Sequence, residues 1–84
     1  MRITSVTDRS REKALEINAA GKSYTFPYAK LRVVPSASDP IADIYPDPEL
    51  GNEGFTYRLR SGAEDTVHLD AVLDVNRDPT ISPD

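Results

Sequence analysis

The chain contains no cysteine and no tryptophan, only one histidine, and only four glycines in 84 residues. The missing cysteines rule out disulfides, thiolate metal ligands and a cysteine nucleophile together. A lone histidine cannot complete a structural zinc site, which takes four nitrogen or sulfur ligands. The glycines sit at separate turns, so there is no glycine-rich loop to cradle a phosphate. None of the seven serines lies in a G-x-S-x-G elbow, the turn that exposes a hydrolase nucleophile. Long apolar runs are missing too. Val33 and Val34 are typical of what there is, which leaves no segment able to span a bilayer. The opening "MRITSVTDRS" has no apolar stretch of signal-peptide length. A cytoplasmic protein is the expectation.

An excess of basic charge is likewise absent. Fourteen acids against ten bases give a net charge of −4, and such a surface repels duplex DNA on average. The one stretch of positive balance is N-terminal, and direct DNA binding would require Arg2, Arg9, Arg11 and Lys13 to form a single patch. With 38% hydrophobic and 29% charged residues, the chain reads as globular rather than disordered. Its length suits one core. We expect a single α+β domain over residues 1–79 and a flexible tail over 80–84.

What is present is mostly strand pattern. "RITSV" is rich in β-branched residues, although Ile3 and Val6 alternate imperfectly. "TDRSREK" reads as a charged connection. "KALEIN" and "SYTF" each alternate, and Gly21 between them is the expected positive-φ position of a hairpin turn. Pro27 ends that strand and suits the first turn of a short helix, "PYAKL". The stretch 33–51, with prolines at 35, 40, 46 and 48, reads as a long loop around a short extended piece, "IADIY". The second hairpin is cleaner. "FTYRLR" puts Phe55, Tyr57 and Leu59 on one face in strict period two, "SGAE" turns the chain, and "DTVHL" returns it. Asp70 then suits the cap of a second short helix, "AVLDVN", which Asp78 and Pro79 stop. Residues 15–31 and 57–73 repeat one plan weakly: strand, turn, strand, helical turn.

"SGAEDTVHLD" (61–70) comes closest to chemistry. Alternation places His68 on the face opposite Val67 and Leu69, away from the core, with Asp70 two residues on as half of a dyad. A general base needs an orienting partner, the place Asp70 would take, and a nucleophile or water; the simpler reading is a surface histidine on a solvated sheet face. The simplest use of the local charges is cross-strand pairing of Arg58 or Arg60 with Glu64 or Asp65. "YPDPELGNEG" offers Asp47, Glu49, Asn52 and Glu53, but not in the order of a calcium loop. The stripe of Phe55 and Tyr57 is read as core packing rather than a base-stacking platform.

"FPYAKL", "IYPDPELGNEGFTYRLRSG" and "EDTVHLDAVLDVNRDP" together resemble a small bacterial domain found in front of lambda-repressor-like helix-turn-helix domains. The resemblance spans residues 13–79 and implies an α+β fold and the accessory or sensing half of a transcriptional regulator, whose helix-turn-helix would lie beyond residue 84, unless this is a free-standing relative without that role. "SYTFPYAKLRVVPSAS" is also similar to the N-terminal domain of gamma-butyrobetaine hydroxylase-like proteins, whose zinc-binding cysteines and histidines have no counterpart here. Neither resemblance assigns a role to a residue of this chain. The sequence thus leads to a mainly antiparallel sheet of four or five strands with two short helices. The expected function is a non-enzymatic binding or accessory module without cofactor or metal, acting on a protein partner or a fused helix-turn-helix domain. Its interaction surface would include Tyr45, Leu50, Arg58, Arg60 and His68, and an open strand edge could make a homodimer. The alternative is a small hydrolase or lyase using His68 and Asp70.

Overall fold

The protein, a computed structural model, is described here over residues 1–77. Within them the chain builds two three-stranded antiparallel sheets and one α-helix. The first sheet runs β1 (Ile3–Arg9), β2 (Ala14–Ala19), β3 (Lys22–Pro27), and the second repeats the plan with β4 (Ile41–Pro46), β5 (Gly54–Leu59), β6 (Glu64–His68). The 3-10 turn Tyr28–Lys30 follows the first sheet, and α1 (Leu69–Arg77) follows the second.

The α+β class and both hairpins agree with the sequence; the counts do not. Six strands replace four or five, and one α-helix replaces two. "PYAKL" stops at a 3-10 turn because Leu31 is already extended, with ψ 146°, and is drawn into the core at 4% exposure. The charged connection shrinks as β1 continues to Arg9, where Arg9 Nε donates to Glu16 on the neighbouring strand at 2.6 Å. Helix α1 starts at Leu69, so Asp70 lies within its first turn rather than capping it. The Leu69 amide is already taken by the Glu53 carbonyl at 2.8 Å. The expected helix stop at Asp78 and Pro79 and the tail over 80–84 lie outside the described residues.

The imperfect alternation of β1 and the unclear one of "IADIY" in β4 have one cause. Register slips by one residue between Ile3 and Ser5 in β1, and again between Ile41 and Asp43 in β4. A bulge adds a residue and so restores the inward side at a spacing of three, which brings Ile3 with Val6, and Ile41 with Ile44, to the core side. The same bulges align the two halves. Leu15 corresponds to Phe55 and Ile17 to Tyr57 by their cross-strand partners, two residues away from the alignment suggested by equal segment lengths. The β2–β3 turn has positive φ at Ala20 (54°) and Gly21 (76°), as a two-residue primed turn requires.

The inner faces of the sheets meet in one core. Leu15, Ile17 and Phe26 come from the first sheet, Phe55, Tyr57 and Leu59 from the second, and Leu69 and Val72 from α1. Phe26 and Phe55 join the halves edge to face, with centroids 6.5 Å apart, an arrangement favoured by the ring quadrupoles. β1 lies beside β4, and α1 rests on β3. There the Asn76 carboxamide accepts from the Thr25 amide at 3.1 Å and donates to the Thr25 carbonyl at 2.8 Å. That satisfies an edge residue as a neighbouring strand would, and with Pro27 lacking an N–H it leaves β3 a poor template for pairing.

Candidate functional site

The outer face of the second sheet collects most of the expected interaction surface. Cross-strand register sets Tyr45 opposite Thr56, Thr56 opposite Thr66, and His68 opposite Gly54. Leu50 covers Gly54: a Cβ there would stand 2.8 Å from Leu50 Cδ1 and 2.8 Å from the Val67 carbonyl. Arg58 is on the same face but pairs with Asp43 of β4, not with Glu64 or Asp65. Asp43 sits directly opposite it in the ladder, while Asp65 instead faces Arg32 at 3.8 Å. Arg60 lies in the turn beyond β5, its amide donating to the Pro40 carbonyl at 2.9 Å.

The centre of this face went unmarked in the sequence. Thr66 donates to Thr56 Oγ1 at 2.9 Å, and the Thr56 hydroxyl donates in turn to Asp47 Oδ2 at 2.7 Å. Asp47 Oδ1 accepts the Glu49 amide at 2.9 Å. The carboxylate is thus committed to holding its own turn, and among the described residues no cluster of histidine and carboxylates is placed to hold a metal.

His68 and Asp70 do share a cleft, of about 320 Å³, with Glu53 and the apolar side chains of Met1, Leu50 and Leu73. His68 is exposed, as alternation predicts, and makes no side-chain hydrogen bond among the described residues.

The larger concavity lies elsewhere. A groove of about 780 Å³ opens between the turns Ser10–Glu12 and Tyr28–Lys30 on one side and residues 34–40 on the other. Its lining is largely apolar, with Val34, Pro35 and Ala37 facing Pro27 and Tyr28, and Arg11 and Lys13 at the lip. Both walls are pinned. On the first, the Tyr28 amide donates to the Lys13 carbonyl at 2.8 Å, and the Tyr28 hydroxyl donates to Asp8. On the second, Tyr57 reaches out of the core to donate to the Val33 carbonyl at 2.7 Å and accept its amide at 3.2 Å. Asp39 accepts from the Ser61 amide and hydroxyl at 2.8 and 2.7 Å. Burial, then the hydrogen bond to Asp8 and its charge, push the Tyr28 hydroxyl well above its ordinary range. Burial raises Tyr57 as well, with its Val33 bond acting against the shift. Both hydroxyls therefore stay protonated, as their donor roles require.

The four basic residues of the N-terminal stretch do not gather. Arg2 and Arg9 flank opposite ends of β1, roughly 20 Å apart at the rise of a strand, and only Arg11 and Lys13 reach the groove.

No family model matches the chain, and neither a curated protein nor a solved structure shows significant similarity to it.

Proposed function

We propose that this protein is a non-enzymatic binding module that recognises a protein partner through the groove between Arg11 and Val34. One observation carries the reading: a largely apolar concavity of about 780 Å³ whose two walls are both tied down by hydrogen bonds. A preformed apolar site lowers the ordering cost of association. An accessory role beside a DNA-binding domain extends this reading and rests on the sequence resemblance alone. The alternative, a small hydrolase or lyase, draws on the cleft that His68 and Asp70 share.

Site-specific photocrosslinking in the cells of origin tests the proposal. Ala37 is exposed in the groove and Tyr45 is exposed on the opposite sheet. A photoreactive residue at 37 should yield a discrete protein adduct, and one at 45 should not. Adducts from 45 only, or none from 37, would refute the groove. Turnover of ester or phosphoester substrates that disappears in His68→Gln would favour the enzyme instead.

A further inference from the structure

We infer that the groove takes an extended acidic segment of the partner, with apolar side chains on the proline and valine surface and carboxylates against Arg11 and Lys13. This rests on the groove being a protein-binding site.

Charge is the first ground. The chain carries −4 overall, yet among the described residues Arg11 and Lys13 are the charged side chains in the groove's lining, and no described carboxylate joins them there. The cleft at His68 has the opposite character, with Glu53 and Asp70 in its wall. Nearby Arg9 is neutralised by Glu16, whereas Arg11 and Lys13 make no ion pair among the described residues. Glu12 belongs to the same turn but does not line the groove. Two uncompensated cations on an acidic protein steer a partner of negative charge to this lip and set its register.

Backbone chemistry is the second ground. Prolines 27, 35 and 40 line the groove and have no N–H to offer, so a partner cannot join here as an added strand. The Ser36 and Asp39 amides and carbonyls are already exchanged with each other at 3.1 and 3.2 Å. Recognition passes through side chains: apolar ones for the exposed Val34 and Ala37, acidic ones for the two cations. Lys13 is held with φ 53° and its carbonyl is bonded to the Tyr28 amide, so the backbone that carries this cation is set before a ligand arrives.

The test uses the whole chain, labelled for NMR, and an acetylated octapeptide alternating leucine and glutamate around one proline. Counterparts carry glutamine or lysine in place of glutamate. The acidic peptide should bind at least tenfold more tightly than the glutamine peptide, with shifts at Arg11, Lys13, Val34 and Ala37. Val34→Asp should weaken it at least tenfold, and Arg11→Glu with Lys13→Glu should transfer the preference to the lysine peptide. All three positions are exposed, and thermal melts verify that the variants fold. Equal binding of the acidic and glutamine peptides, or shifts confined to the His68 face, would overturn the inference. Groove crosslinks in cells alongside failure of the acidic peptide would leave the binding function standing and remove only the acidic partner.

Discussion

Tyr57→Phe isolates a single oxygen that joins the core to the groove wall. The ring is fully buried and packs beside Phe55 at a centroid distance of 6.3 Å, and phenylalanine keeps that packing. What is lost is the donation to the Val33 carbonyl at 2.7 Å and the acceptance of its amide at 3.2 Å. A neutral hydrogen bond contributes about 0.5–1.5 kcal/mol net, and the 3.2 Å contact lies at the long end of its range. Val33 is only half-buried, so water can reach part of what is orphaned. The expected loss is about 2 kcal/mol, out of roughly 4–12 kcal/mol for a chain of this length. In a domain this small that lowers Tm by about 8–16 °C. Differential scanning calorimetry measures the shift, and amide exchange at Val33 reports whether the wall has come loose. A Tm within about 3 °C of wild type, with Val33 exchange unchanged, would refute the claim that Tyr57 holds residues 33–40 in place. A loss beyond about 5 kcal/mol would mean that the core itself had rearranged.

Gly54→Ala forces a Cβ to within 2.8 Å of the Val67 carbonyl, a backbone atom that cannot swing aside. Urea denaturation should show a loss of about 1–3 kcal/mol, and no loss would mean that β5 and β6 separate freely there. Asn76→Ala removes both bonds to Thr25 and one to Val72. It should cost about 1–2 kcal/mol and, by uncovering the β3 edge, produce concentration-dependent association in sedimentation velocity. The hydroxyls of Tyr28 and Tyr57 titrate above their unfolded value of about 10. Their stabilisation is intact below pH 10 and declines as pH rises from there through the raised folded values. Urea midpoints should fall above pH 10, and Tyr28→Phe should flatten that fall.

Where side-chain alternation was strict, the sequence was readable. "FTYRLR" became β5 with Phe55, Tyr57 and Leu59 inside, and His68 points outward as its neighbours Val67 and Leu69 require. Alternation failed where a bulge changed the period, which is why β1 and β4 looked irregular and the sheets were undercounted. Arg58 found Asp43 because that residue belongs to β4, which the sequence marks as a short extended piece among prolines without saying which strand it pairs with. The groove was not readable for a different reason. Its walls come from three short segments within residues 10–40, and one wall is held by hydrogen bonds to Tyr57 and Ser61 of the second sheet's β5 and the turn after it. Each of those residues looks locally ordinary, one as core and one as turn. The basic pair Arg11 and Lys13 was visible, but only the fold parts it from Arg2 and Arg9.

The docking of α1 on β3 makes the last described element a partner of the first sheet. During synthesis the first sheet can pair its strands as soon as Pro27 has left the ribosome, yet Leu15, Ile17 and Phe26 then have no opposing surface. About fifty further residues must emerge before α1 is complete, roughly 3–10 s at about 5–20 residues per second. For that interval an apolar sheet face and an unsealed β3 edge are open together, the combination that invites association between nascent chains. The half-made protein is the state most in need of a chaperone, and the Asn76 clamp closes that window only when the helix arrives.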